Sequence, residues 1–243
     1  MAFDKIVDST ALDTALTNIA DAIRNKTGGT DPLTLEQMPG EIEGIETGTT
    51  GKPYVDTSKI TNFGTIFQDN NFPVDELQNI DTKNVTKFNY MFSGCSTLTT
   101  IPLLDTSNGT DFRYMFQNCS SLTKVPLLDM SKATNCEAIF YNCTNLTDLT
   151  IKVNSLKPNY YMFDYCHALT NVTIEGTIKI TNNSFRIDYS DNLTVESIMN
   201  FINAFEDNSS LSTTYTVYFG KTNLDKLTDE QKAVATAKNI ALA

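Results

Sequence analysis

The sequence predicts an α/β fold: a solenoid with a parallel sheet, an N-terminal helical segment and an α+β C-terminal cap. A repeated phrase is the first observation. Met91-Phe92-x-x-Cys95-x-x-Leu98-x-x-Ile101 returns as Met115-Phe116-x-x-Cys119-x-x-Leu122-x-x-Val125, as Ile139-Phe140-x-x-Cys143-x-x-Leu146-x-x-Leu149, and as Met162-Phe163-x-x-Cys166-x-x-Leu169-x-x-Val172. The copies stand 24, 24 and 23 residues apart. A fixed period of that length belongs to chains whose units bury their apolar faces only against their neighbours. The second observation is a short apolar run of strand character in each unit. The third is that the period fails at both ends, where apolar residues recur at helical spacing. A chain of this kind is mostly surface, so binding is expected rather than catalysis.

Residues 10–26 read as a helix. Thr10 with Asp13 resembles a capping box, and Leu12, Leu16, Ile19 and Ile23 form one apolar stripe. Gly28-Gly29 ends it. Thr34 to Gln37 opens a second short helical segment, which Pro39-Gly40 interrupts. The stripe either packs on this second segment or bundles with copies of itself, which makes these four residues the candidates for oligomerisation or docking within segment 1–46. Glu46-Thr-Gly-Thr-Thr-Gly-Lys-Pro53 has no apolar residue and marks a linker over 47–60.

The repeats are expected over 61–190. Asp81-Thr82 aligns with Asp105-Thr106, and Ile66-Phe67 is a degenerate Met-Phe pair, giving about five rungs and a degraded sixth between Ile178 and Ile187. Leu122-x-x-Val125-x-Leu127, Leu146-x-x-Leu149-x-Ile151 and Leu169-x-x-Val172-x-Ile174 match the strand of a leucine-rich repeat. Asp-Thr-Ser and Asn-Cys-Ser clusters supply the corners. The fold expected is therefore a leucine-rich-repeat-type solenoid. Residues 191–243 form its cap. Thr194 starts a helix with Ile198, Met199, Phe201, Ile202 and Phe205 on its apolar face. Thr214 to Phe219 alternates like a strand, and the capping box Thr228-Asp-Glu-Gln231 opens a helix with Ala233, Val234 and Ala237.

Composition narrows the function classes. The chain is 40% hydrophobic and 19% charged, as globular proteins are, and its net charge of −11 with a single His repels a phosphate backbone. Nucleic acid and anionic lipid are thus poor partners. No run approaches the roughly 20 apolar residues of a membrane helix, so no membrane insertion is expected. The start, Met1-Ala2-Phe3-Asp4-Lys5, lacks a basic region and apolar run, so the expectation is a mature form or a protein made in the cytoplasm that reaches its place without a classical signal.

Four of the five cysteines, Cys95, Cys119, Cys143 and Cys166, share one repeat position. Stacked side chains point the same way, whereas a disulfide needs converging vectors, so they are expected to be reduced and buried. Cys136 matches Phe88 and Phe112 and should fill the slot of the aromatic. The absence of a CxxC spacing speaks against zinc.

The search for chemistry yields no catalytic, cofactor-binding or metal-ligating residues. His167, the one His, sits between Cys166 and Ala168 and reads as a surface residue. No nucleophile elbow, zinc-protease helix or phosphate loop is present. The 29 acidic residues leave a carboxylate pair as the enzymatic alternative. Two exposed columns follow from the period. Thr99, Thr123, Thr147 and Thr170 suit strand stacking. Thr100, Lys124, Asp148 and Asn171 change identity at each rung, which makes that column the better candidate for contact with a partner. Tyr90, Tyr114 and Tyr161 occupy one slot and are expected in the core. Tyr141, Tyr160 and Tyr165 break the repeat, and their flat rings with polar tips suit glycan or protein contact.

The run Asp81-Thr-Lys-Asn-Val-Thr-Lys-Phe-Asn-Tyr-Met-Phe-Ser-Gly-Cys-Ser-Thr-Leu-Thr-Thr-Ile-Pro102, with the copy after it, resembles the BspA-like leucine-rich repeats of bacterial surface proteins. Ile139 and Cys136 in the third copy, and the missing Ile-Pro step later, depart from that pattern. Leu16-Thr-Asn-Ile-Ala-Asp-Ala-Ile-Arg-Asn-Lys-Thr-Gly-Gly-Thr-Asp-Pro-Leu33 is similar to an N-terminal segment of tail and baseplate-associated proteins of phages infecting Gram-positive hosts. Leu227-Thr-Asp-Glu-Gln-Lys-Ala-Val-Ala-Thr-Ala-Lys238 is similar to a tail-end segment of the same proteins, in which the Lys is often followed by Gly-Trp where Asn239-Ile240 stands here. The resemblance implies a non-enzymatic virion protein, docked to other virion proteins through its N-terminus as a possible homotrimer, with its repeat surface toward a host cell-surface glycan or protein. A bacterial surface adhesin and a ligand-free virion decoration are the alternatives.

Overall fold

The computed structural model describes residues 59–69, 80–157, 161–180 and 185–243. The stripe Leu12, Leu16, Ile19 and Ile23 lies outside the described residues, as does Tyr160. Three strands, β1 (Lys124–Met130), β2 (Asp148–Leu156) and β3 (Asn171–Ile178), form a parallel sheet in chain order. The pairing Lys124↔Asp148↔Asn171 puts equivalent repeat positions side by side. Thr100 extends the ladder backwards by a parallel bridge to Lys124. A second line of parallel bridges, Asn62↔Lys87↔Asp111↔Asn135, runs along another side of the repeats. These features are those of an α/β, leucine-rich-repeat-type fold.

The corners follow from short polar side chains. Asp105 accepts from the Ser107 amide at 3.1 Å and from its hydroxyl at 2.6 Å, and Asp129 repeats this with Ser131. Asn62, Asp111 and Asn135 each accept from the amide two residues on. Such local bonds hold a turn that regular structure cannot supply. Two repeat positions are left-handed: Thr65, Tyr90, Tyr114 and Ala138 in one, Gly94, Asn118, Asn142 and Tyr165 in the other. Gly and Asn tolerate that region, and other residues enter it at a cost.

Inside, like residues stack on like. Phe67, Phe92, Phe116, Phe140 and Phe163 form a column with successive ring centroids 5.6, 5.6, 5.6 and 5.8 Å apart. The Met91/Met115/Ile139/Met162 and Leu98/Leu122/Leu146/Leu169 positions are buried beside it. All five cysteines are buried, and none forms a disulfide. The structure adds a polar role: Cys95, Cys119, Cys143 and Cys166 each donate to the carbonyl of the Phe one repeat earlier, Phe67, Phe92, Phe116 and Phe140, at 3.0–3.1 Å. Cys136 takes the place beyond the stacked Phe88 and Phe112, as expected from its position.

Two expectations for the repeats need correction. Leu127 is 41% exposed and Leu128 is buried, so the apolar strand position is Val125-x-x-Leu128. The pairing shifts between Val125 and Leu128, because Leu149-Thr150-Ile151 of the next strand is one residue shorter. Pro126 lacks an amide to donate to a ladder, and with Leu127 it occupies this bulge. Leu103, after Pro102, is 72% exposed in the same way. Tyr90 and Tyr114 are half-buried on the surface, stacked at 4.7 Å, and Tyr161 is 50% exposed, so this slot is not core. Its left-handed backbone at Tyr90 and Tyr114 accompanies the outward placement.

The last strand edge is covered. The Thr column runs Thr99, Thr123, Thr147, Thr170, Thr194, each amide donating to the preceding carbonyl at 2.9–3.0 Å and each hydroxyl repeating the bond. Thr194 is at once the last member of this column and the N-cap of α1 (Val195–Ala204), accepting from the Ser197 amide. The Ser197 hydroxyl accepts from the Val172 amide and donates to the Thr170 carbonyl, so a helix stands where a strand would. Ile198, Phe201, Ile202 and Phe205 are buried as expected. Then come β4 (Tyr215–Val217), α2 (Lys221–Leu224), α3 (Asp229–Ala237) and β5 (Ile240–Leu242), which pairs parallel with β4. The capping box at Thr228 and Gln231 is formed. Ala233 and Ala237 are exposed, and Ala235 is the buried residue of α3. Lys238 donates to the carbonyls of Ile202, Asn203 and Phe205, closing the C-terminus of α1. Asn239 follows with φ 57, the backbone region in which Asn stands in for Gly.

Candidate binding surface

The sheet column predicted to meet a partner is assembled: Thr100, Lys124, Asp148 and Asn171 lie adjacent in register. Part of its polarity is taken up by bonds within and between neighbouring rungs. Asp148 accepts from the Thr147 hydroxyl at 2.6 Å and from the Asn171 amide at 2.9 Å. Those bonds, and the charge of Lys124, hold its carboxyl below the usual range against the opposing effect of burial. The changing identity of the column is thus partly a complementary pairing between rungs. The residues it leaves most exposed, Thr100, Lys124 and Asn171, offer small and separate contacts.

A denser cluster lies at the corner of the last repeats. Tyr141 meets Tyr165 edge to face at 5.4 Å and Tyr161 at 6.4 Å. Tyr165 packs on Tyr189 at 4.7 Å, and His167 touches both, its Nδ1 lying 3.0 Å from the Tyr189 carbonyl oxygen. Arg186 lies over the rings of Tyr189 and Tyr218 and binds Asp188 with two nitrogens at 2.6 and 3.1 Å. That partner raises the Arg186 guanidinium further. Tyr161, Tyr165 and His167 are exposed, and Tyr141 and Tyr189 are half-buried. Asp164, next to Tyr165 in the chain, is 8% exposed, and its Oδ1 makes no hydrogen bond. Burial raises the Asp164 carboxyl, Arg186 opposes this, and Asp188 adds to it.

The repeat shows how unusual this corner is. Tyr141 and Asp164 occupy the column of Ser93 and Gln117; Tyr165 that of Gly94, Asn118 and Asn142; His167 that of Ser96, Ser120 and Thr144. Three columns flanking the cysteine position, small or polar in the early copies, turn aromatic or acidic in the late ones. Of the expected residues, Tyr141 and Tyr165 are brought together here. Tyr161, His167, Tyr189, Arg186 and Asp164 were not selected from the sequence as partner contacts. A legible signal existed: Asp164-Tyr165 returns as Asp188-Tyr189 one period later. It is masked because Ser190 replaces the Cys that anchors the other copies.

His167 and Cys166 do not form a catalytic pair, since the thiol donates into the core while the imidazole faces out. Among the described residues no three His, Cys, Asp or Glu side chains converge as a metal site, and no helix is long and apolar enough to cross a membrane.

These stacked corners and strands coincide with what sequence comparison finds. The model of a family described as Mycoplasma protein of unknown function, DUF285, matches residues 37–154. No curated protein and no solved structure matches the chain. The model described as BspA type leucine rich repeat region, in 6 copies, matches residues 112–234. That span covers just over half of the sequence, including all three strands of the main sheet and the aromatic corner, and on this ground the chain belongs to the BspA-type leucine-rich-repeat family.

Proposed function

We propose that the chain is a non-enzymatic interaction module. Its repeats, read as a solenoid, hold a binding surface out toward a glycan or protein of a cell envelope. The change of three corner columns from small or polar to aromatic or acidic residues carries this reading. A core built by repetition gains nothing from breaking its own pattern at the surface, and exposed aromatic clusters mark contact sites. The resemblance of both flanks to phage tail and baseplate proteins supports a place on a virion. There residues 1–46 would attach the module to other virion proteins, as a homotrimer through Leu12, Leu16, Ile19 and Ile23, after synthesis in the host cytoplasm. Membership of the BspA-type family favours a second reading, an adhesin of a bacterial cell surface.

Two measurements test this. Fluorescently labelled chain is titrated onto intact Gram-positive cells, where saturable binding is expected; binding no greater than that of an unrelated acidic protein overturns the module reading. Mass spectrometry of purified phage particles then separates the two placements, because the virion reading requires this chain in the particle at stoichiometric amounts.

A further inference from the structure

We infer that the corner formed by Tyr141, Tyr161, Tyr165 and His167, with Tyr189 and Arg186 behind it, is a carbohydrate-binding platform for the pyranose rings of a neutral glycan. The inference rests on the module reading and specifies its site and ligand class.

Three observations point to the site. Tyr165 has φ 63, in the column where three earlier repeats place Gly94, Asn118 and Asn142. A tyrosine held there costs on the order of 1 kcal/mol relative to those residue types, and such outliers are kept where the side chain has a task. The rings are also fixed before any ligand arrives. Tyr141 contacts both Tyr161 and Tyr165, and Tyr189 backs Tyr165 on one side and faces Arg186 on the other. Fixed rings lose little freedom on binding. Finally, Asp164, next to Tyr165 in the chain, is more than nine-tenths buried with Oδ1 making no hydrogen bond. A buried acceptor left open is rare and calls for an explanation.

The ligand class follows from the chemistry. Tyr161 and Tyr165, 50% and 38% exposed, present flat apolar area with a hydroxyl at the rim. The C–H face of a pyranose is apolar and slightly positive, which suits the negative face of an aromatic ring. Its hydroxyls need acceptors and donors, and tyrosine hydroxyls and an imidazole can supply both. Arg186 already occupies Tyr189 and Tyr218 and pairs with Asp188, so the arginine is neutralised in place. An anionic ligand would meet a chain of net charge −11 and this already paired arginine, which favours a neutral glycan.

The full chain is applied to arrayed protein-free neutral polysaccharides of glucose, galactose, mannose and N-acetylglucosamine, and to protein-stripped Gram-positive cell walls, with affinity measured by calorimetry on the best binder. Binding to at least one is expected. Tyr165→Asn, which copies Asn118 and Asn142, should fold at least as well as the parent by circular dichroism and weaken binding by tenfold or more. Tyr161→Ala should weaken it as well, and Leu127→Ala, on the sheet, should leave it unchanged. Retained affinity in a folded Tyr165→Asn overturns the site. Binding to intact cells with none to any polysaccharide or stripped wall overturns the ligand class, favours protein recognition, and leaves the module reading standing. Failure to bind cells as well overturns both.

Discussion

The phenylalanine column offers a quantitative test of the stacking order. Phe116 is fully buried, with Phe92 and Phe140 each 5.6 Å away at interplanar angles of 6° and 1°. Truncation to Ala should cost about 3–5 kcal/mol, a large part of the roughly 5–15 kcal/mol that holds a domain. Two such truncations would unfold the protein, so leucine is the useful probe. Phe116→Leu and Phe140→Leu should each cost about 1–3 kcal/mol. Adjacent rings contribute roughly 0.5–1.5 kcal/mol beyond their buried area, and the double variant loses that contact only once. The cycle Phe116→Leu/Phe140→Leu should therefore be less destabilised than the sum by about that amount. Phe92→Leu/Phe140→Leu has an intact ring between the substituted sites, beyond the ~7–10 Å at which substitutions usually couple, and should be additive within about 0.5 kcal/mol. Urea unfolding followed by circular dichroism gives the six stabilities needed, those of the parent, the three single variants with Phe92→Leu among them, and the two doubles, provided the slope m is unchanged. Equal coupling in both cycles, or none in the adjacent one, would refute a column in which each ring touches its sequence-neighbouring copies.

Gly176→Ala should destabilise by about 2–4 kcal/mol in the same assay, because φ is 115 and a new Cβ would meet the Val153 carbonyl oxygen at 1.9 Å. Lys238→Met should cost about 2–3 kcal/mol by freeing three carbonyls at the end of α1, and should shorten the hydrogen-exchange lifetime of the Phe205 amide, which bonds to Phe201. Asp164 has its folded pKa above the unfolded value, so its ionised form subtracts stability at neutral pH, and that penalty fades as pH falls through the folded pKa toward the unfolded one. Asp164→Asn should consequently raise Tm at pH 7 and have little effect at pH 3; an equal gain at both values would contradict this. Ellman's reagent should label none of the five cysteines in the native protein and all five in urea, since all are buried and burial pushes Cys136 and Cys166 up to about 12.

The period made most of the fold legible. The Cys and Met-Phe positions, the Thr column and both helix caps at Thr194 and Thr228 follow from spacing and from the chemistry of short polar side chains. What escaped was set by backbone geometry within the period. Leu127 looks like a strand residue until the shift after Val125 turns Leu128 inward. Tyr90 and Tyr114 look like core aromatics, but their rings stack on each other at the surface. Ala235 is buried instead of its neighbours because α3 packs through a narrow face. The aromatic corner was half legible: Tyr141 and Tyr165 stood out as breaks in the pattern. Tyr189 and Asp188 were hidden because the sixth copy has lost its Met-Phe and Cys landmarks, leaving only an Asp-Tyr pair to count from.

The cysteine ladder has a consequence for where such a chain keeps its shape. Each of the four thiols in the ladder is occupied by a carbonyl of the preceding copy, and none reaches the surface. The described repeats are therefore indifferent to redox potential. They need no oxidant to mature in a reducing compartment, and a move into an oxidising one leaves their covalent structure unaltered.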